Sequence, residues 1–340
     1  MCRTGKTDSP LTTLIFFAAT VAATLLYAFL NGMNDSGGLV AAAISSRSLT
    51  PRIAMTLASL AEFVGPFLFG TAIATTMGKG LVEVSALSSS TLFVAIVSAI
   101  IWNLAAHYFG IPSSSTHALL GGLFGAVWIA HGIDGLIPSG FIKVFAALIA
   151  APILGSVIGY VGMRWIKFLT RSATPDVNVF FKRVQVVNII ALALSHGTND
   201  GQKSIGLIVL ALAVAKYQTD FVAPYWAILL CAGALTLGIR FGGQRIIRTM
   251  GESIYRLRPV HAFAAQTASA AIVLGAALSG SPVSTSQVVS TAIIGVGSAE
   301  RISAVRWVVT GRILAAWIIT IPASALVAAM LEFIFIRFGY

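Results

Sequence analysis

Two short acidic motifs stand deep in apolar sequence, Asn34-Asp35 within FLNGMNDSGG and Asn199-Asp200 within LSHGTNDGQKS, their aspartates 165 positions apart. A third carboxylate, Glu62, sits in a similarly apolar run. On insertion scales an aspartate at the bilayer centre costs about 2.5–3.5 kcal/mol, so such groups face a cavity, pair with a cation or hold a proton. Gly32, Gly37, Gly38, Gly197 and Gly201 flank the two pairs and predict a helix break at each, with carbonyls turned toward a cavity. Carbonyls and carboxylates at such a break coordinate Na⁺ or accept H⁺, while the next half-helix starts with unsatisfied N–H groups and a positive dipole end. Asn34, Asp35, Glu62, Asn199 and Asp200 are the candidate coupling-cation residues, with Na⁺ the metal expected at the two Asn-Asp pairs.

A second, unlike motif also occurs twice. GIPSSSTHALLGG from Gly110 is echoed by GSPVSTSQVVSTA from Gly280, 170 positions on. Pro112 and Pro282 are placed to begin helices, since proline at a first helical position loses no hydrogen bond, and the hydroxyl residues that follow can cap and donate. Ser113, Ser114, Ser115 and Thr116 in one copy and Ser284, Thr285 and Ser286 in the other would form converging helix starts suited to a tetrahedral oxyanion. The competing use of such residues is bonding within their own helices or close helix approach; the doubling favours the anion.

The elements that must position these groups are membrane helices. With 57% hydrophobic and 10% charged residues and a mean hydropathy of +0.91, the chain has too little polar surface for a water-soluble globule. Apolar stretches long enough to span fall at 11–30, 52–75, 91–109, 141–168, 222–239, 262–279 and 305–335, with shorter ones at 39–46, 118–130, 184–194, 205–215 and 288–296. The net charge of +11 does not indicate a nucleic-acid partner, because the basic residues cluster where apolar segments end. Two loops, 164–183 and 240–258, hold ten of the 22 and are expected on the cytoplasmic side. Their shared side requires 184–215 to cross an odd number of times, most simply once as one broken helix. The first apolar run leads directly into Asn34-Asp35 and is kept as a membrane helix rather than a signal peptide; Cys2 and Cys231 suggest no disulfide. Two motifs recurring in one order at nearly one spacing predict an all-α polytopic membrane protein of two inverted repeats, with broken helices and short half-helices meeting at a midplane site. The divisions are a polar tail at 1–10, a first repeat at 11–170, a basic linker at 171–183 and a second repeat at 184–340.

These motifs together resemble the PiT family of inorganic phosphate transporters, over about residues 26–296. The resemblance rests on Asn31-Gly32-Met33-Asn34-Asp35, on 110–117, on 195–203 with its NDGQK form, on 280–286 and on the basic stretch 245–251. It implies cation-driven phosphate uptake through the cytoplasmic membrane, with the Asn-Asp pairs near the coupling cation and the Pro-Ser-Thr starts around phosphate. Glu62 falls where the family carries an important glutamate. Three departures from the pattern fall at four positions: Gly38 and Lys203 stand where a second asparagine is frequent, Gln266 replaces a second-half glutamate, and Gln287 a histidine. Each removes a cation ligand or titratable group, which favours H⁺ slightly over Na⁺. Gln202 and Lys203 join the candidate substrate-binding residues, Lys203 to balance phosphate charge. The alternatives are a sulfate permease of the same family, a metal-phosphate/H⁺ symporter and, remotely, a membrane-embedded hydrolase built on Ser115–His117 or Ser195–His196. No cofactor beyond Na⁺ is expected, the lipid bilayer is the surrounding partner, and a homodimer is left open.

Overall fold

Long apolar runs with few interior breakers become long helices. The structure, a computed structural model, describes residues 10–109, 113–174, 176–242 and 254–339, with Pro10 and Ala86 described by backbone alone. The first half comprises α1 (Pro10–Ser45), α2 (Pro51–Leu68), α3 (Ala72–Lys79), α4 (Ser89–Phe109), α5 (Ser115–His131) and α6 (Pro138–Leu169). The second comprises α7 (Val177–His196), α8 (Gln202–Val214), α9 (Tyr225–Arg240), α10 (Pro259–Leu278), α11 (Thr285–Arg301) and α12 (Trp307–Arg337). Among the described residues six helical segments are long and apolar enough to cross a membrane, α7 and α8 counting as one, and a seventh arises if α2 and α3, bent by 74°, form one span. Burial is inverted relative to a water-soluble domain. Ile142, Ile149, Ile153, Ile318, Leu326 and Phe333 point outward, while Asn31, Asp35, Glu62, Asn103, His196, Asp200 and Lys203 are buried, as a lipid solvent requires.

The helix breaks expected at the Asn-Asp pairs are not found. α1 runs unbroken through Asn34-Asp35, and at Asn199-Asp200 the helix only widens into a π-turn over Gly197–Gly201 before continuing as α8. The glycines serve close approach instead. A Cβ on Gly32 would strike the carbonyl of Leu235 on α9, and one on Gly197 the carbonyl of Glu62 on α2. Small residues of this kind let membrane helices pack backbone to backbone. The sharp break lies at residues 69–71, between α2 and α3.

The two halves exchange helices. α5 packs along α12, and α11 along α6, so each half's short helix lies on the other half's last helix. Gly121 and Gly125 admit Ile321 and Ala325 to α5, and Gly155 and Gly159 on α6 admit Val288 and Ala292. Pro152 and Pro322, in α6 and α12, are 170 positions apart, the spacing of the Ser/Thr motifs. The described part of the basic linker is shorter than 171–183, because α7 begins at Val177 and puts Lys182 and Arg183 on helix. Lys167 and Arg258 both reach Glu300, each at 3.2 Å, so these two residues of the basic loops lie at one end of the bundle. Residues 1–9, Gly110 to Pro112 and the stretch 245–251 lie outside the described residues.

Candidate functional site

The three carboxylates singled out by sequence converge on a side chain outside the candidate cation and substrate sets, His196, which the sequence offers only for the hydrolase alternative. His196, on the last turn of α7 and fully buried, sets Nδ1 2.6 Å from Glu62 Oε1. Its Nε2 lies 2.6 Å from Asp200 Oδ2, one helical turn on, and 3.4 Å from Asp35 Oδ2. Imidazole donates through both nitrogens only as imidazolium; donating through one, it offers the other as an acceptor. Donating to Glu62 through Nδ1, it turns Nε2 toward Asp35 and Asp200, whose oxygens lie with it inside 4.8 Å, so the cluster can hold a proton or a metal ion there.

Lys203, three residues beyond Asp200, is also fully buried. Its ammonium donates to Asp200 Oδ1, to Thr116 Oγ1 at 2.6 Å and to the Val283 carbonyl at 2.6 Å. Three donors meet three acceptors, drawn from both halves. Gln202 turns elsewhere: its Oε1 accepts from the N–H groups of Ile73 at 2.9 Å and Ala74 at 3.4 Å, capping α3.

The Ser/Thr motifs meet tip to tip. Thr116 Oγ1 donates to the Val283 carbonyl at 3.1 Å, and Ser286 Oγ to the Ser113 carbonyl at 3.3 Å. The two bonds are counterparts under the 170-position offset. A second matched pair joins the tips to the aspartates, with Ser115 Oγ 3.5 Å from Asp35 Oδ2 and Thr285 Oγ1 3.4 Å from Asp200 Oδ2. Ser115 also donates to Asn31 Oδ1, and Tyr27 Oη to the Ser115 carbonyl at 3.0 Å. Ser114 caps α5 by accepting from the N–H of His117 at 3.1 Å. Ser113 Oγ accepts from Trp102 Nε1 at 2.8 Å and pairs with Thr320 Oγ1 at 3.0 Å, while Ser284 Oγ meets Ser286 Oγ at 3.1 Å. Because the tips touch, a tetrahedral oxyanion would have to replace these contacts; they do not surround an open pocket.

Other expectations shift. α11 starts at Thr285 with Ser284 as its cap, so Pro282 precedes the helix instead of opening it. The extended stretch is held by other bonds: the N–H of Val283 donates to Asn199 Oδ1 at 3.3 Å, and its carbonyl takes Thr116 and Lys203. Pro112, the other expected start, lies outside the described residues. Asn34 is not drawn into the carboxylate cluster. Its Nδ2 donates to the Asn103 carbonyl at 3.3 Å and its Oδ1 faces His107 Nδ1 at 3.0 Å, because neighbours on an unbroken helix point about 100° apart. Gln266 sits on α10 against Gln185 and donates to the Leu39 carbonyl at 2.7 Å; Glu62, by contrast, meets His196. Gln287 instead meets His117, 3.4 Å from Nε2, its counterpart under the 170-position offset.

Residues 31–328 match the model of the phosphate transporter family. The chain belongs to that family. Among relatives of this phosphate transporter family member, a Rhizobium meliloti protein described as "Probable low-affinity inorganic phosphate transporter" is 38% identical over 315 residues, 92% of this chain and 94% of its own. A Bacillus subtilis protein of the same description is 38% identical over 325 residues, covering 94% and 97%. Among solved structures, one titled "The sodium-dependent phosphate transporter" superposes with a TM-score of 0.86 at 25% identity, covering 96% of this chain and all of that one. Membership places the chain among multi-pass membrane transporters rather than enzymes, which sets aside the hydrolase reading.

Proposed function

We propose that this chain carries inorganic phosphate across the cytoplasmic membrane in symport with a cation, H⁺ or Na⁺, by alternating access between two inverted repeats. The observation that carries the reading is the meeting of two Ser/Thr helix starts from opposite halves directly over Asp35, Asp200, His196 and Lys203. Opening that contact frees Thr116, Ser286 and the first N–H groups of α5 and α11 as donors to a phosphate oxyanion. The carboxylates beneath would repel the anion until a cation or proton offsets them, which couples the two movements. The basic ends joined at Glu300 face the cytoplasm in this reading. Phosphate is favoured over sulfate because the monoprotonated dianion needs an acceptor, which Asp35 or Asp200 supplies.

The test is uptake of radiolabelled phosphate into proteoliposomes under imposed H⁺ or Na⁺ gradients, with sulfate as competitor. Accumulation that follows either gradient and resists excess sulfate is expected. Equal uptake with and without gradients, or displacement by sulfate as effective as by phosphate, would sink the symport or the substrate assignment respectively.

A further inference from the structure

The two aspartate clusters are built alike and occupied differently. Asp35 meets Ser115 and Asp200 meets Thr285, while the hydroxyl-to-carbonyl bonds Ser286 to Ser113 and Thr116 to Val283 repeat at the same offset. In the second cluster the Lys203 ammonium sits among Asp200, Thr116 and the Val283 carbonyl. In the first, the residue three positions after the aspartate is Gly38, which extends no side chain toward Ser286 or the Ser113 carbonyl. The oxygen set around Lys203 is one carboxylate, one hydroxyl and one backbone carbonyl, contributed by both halves. Hard cations take oxygen donors of those kinds, and carbonyls and carboxylates together hold coupling cations in transporters of this type. Full burial excludes a lysine that reaches for the membrane surface. Engagement of all three N–H donors leaves none directed at an anion.

We infer that Lys203 is a tethered cation: its ammonium permanently fills the second-half cation position, so that the chain needs one free coupling cation fewer than a carrier in which both positions are open. The inference rests on the cation-coupled reading above. It makes Lys203 a determinant of coupling stoichiometry and separates it from the phosphate ligands. It also predicts that the second site can be reopened. Lys203→Asn removes the charge and supplies an amide oxygen to the same cage, whereas Lys203→Met removes the charge and supplies no oxygen.

Parent, Lys203→Asn and Lys203→Met are compared in proteoliposomes by radiolabelled phosphate uptake over a Na⁺ series balanced with choline. Failure of the parent to take up phosphate would overturn the transport reading itself; the inference is judged on variants alongside an active parent. In choline, Lys203→Asn should fall at least about tenfold below the parent, equivalent to about 1.4 kcal/mol, and recover in Na⁺ with a steeper concentration dependence. Lys203→Met should stay low throughout. In detergent, Na⁺ should raise the unfolding temperature of Lys203→Asn more than that of the parent, since a ligand bound only by the folded state stabilises it. Parental uptake by Lys203→Asn without Na⁺ would overturn the inference. So would a raised phosphate KM with an unchanged Na⁺ response, which would make Lys203 a phosphate ligand, or a folded, monodisperse Lys203→Asn that is inactive and unshifted at every Na⁺ concentration.

Discussion

Asp200→Asn isolates the electrostatics of the site. Asp200 is fully buried and holds Lys203 through one oxygen and His196 and Thr285 through the other. The substitution keeps the shape but removes the charge, and the new amide must present N–H₂ either to the ammonium or to His196 Nε2, both donors in the charged cluster. Removing one partner of a buried ion pair destabilises by about 3–5 kcal/mol, because the other charge is left uncompensated. Burial leaves little solvent screening to discount. Adding Lys203→Met removes the stranded ammonium, so the double variant should be more stable than Asp200→Asn alone, with a coupling of about 2 kcal/mol. Denaturant titration of the purified proteins in mixed micelles reads all four corners of the cycle. Additivity within about 0.5 kcal/mol, the behaviour of independent sites, would refute the claim that these charges form one buried unit.

The remaining predictions address packing, capping and a carboxylate remote from the site. Gly197→Ala drives a methyl into the backbone of Glu62 and should lower stability by about 1–3 kcal/mol, whereas Gly162→Ala, with open space around it, should stay within about 0.5 kcal/mol; thermal unfolding in detergent compares them. Ser114→Ala deletes the cap of α5 and should cost about 1 kcal/mol, with a raised phosphate KM in the uptake assay because the helix start loosens. Thr91→Val removes the 2.8 Å donor to the buried Glu332 and should destabilise by about 1–3 kcal/mol, a loss that adding Glu332→Leu should largely reverse. Glu300→Gln removes the charge facing the partly exposed Lys167 and the largely exposed Arg258 while its amide oxygen can still accept from the buried His261, and should change stability by no more than about 1 kcal/mol.

Polar residues inside apolar runs were the legible part of the sequence, because a bilayer tolerates them only where they are occupied. Asp35, Glu62 and Asp200 declare themselves in that way, and the repeated Ser/Thr motifs announce two short helices whose starts do meet. Breaks at the Asn-Asp pairs were misread for a physical reason. Glycine marks both a place where a helix can open and a place where another backbone comes close, and only the positions of Leu235 and Glu62 decide between them. Asn34 followed the same error, since it shares a site with its neighbour Asp35 only if the helix opens there. His196 carried a faint signal, one turn before Asp200. Its encounter with Glu62, 134 positions earlier, depends on α2 packing against α7 and is invisible to local spacing. Lys203 was visible as an oddity; its three acceptors come from segments far apart in the chain.

The exchange of helices between halves determines what can travel as a rigid body. The tip at Ser115 lies on the rod that ends the second half, and the tip at Thr285 on the rod that ends the first. Two lobes cut at the linker therefore cannot swing apart as independent jaws. In the cycle proposed above the moving parts would be hybrids, α5 with α12 and α11 with α6, sliding against α1, α2 and the π-turn between α7 and α8, which carry Asp35, Glu62 and Asp200. A chain severed between Thr170 and Asp176 should therefore stay together through those hybrids.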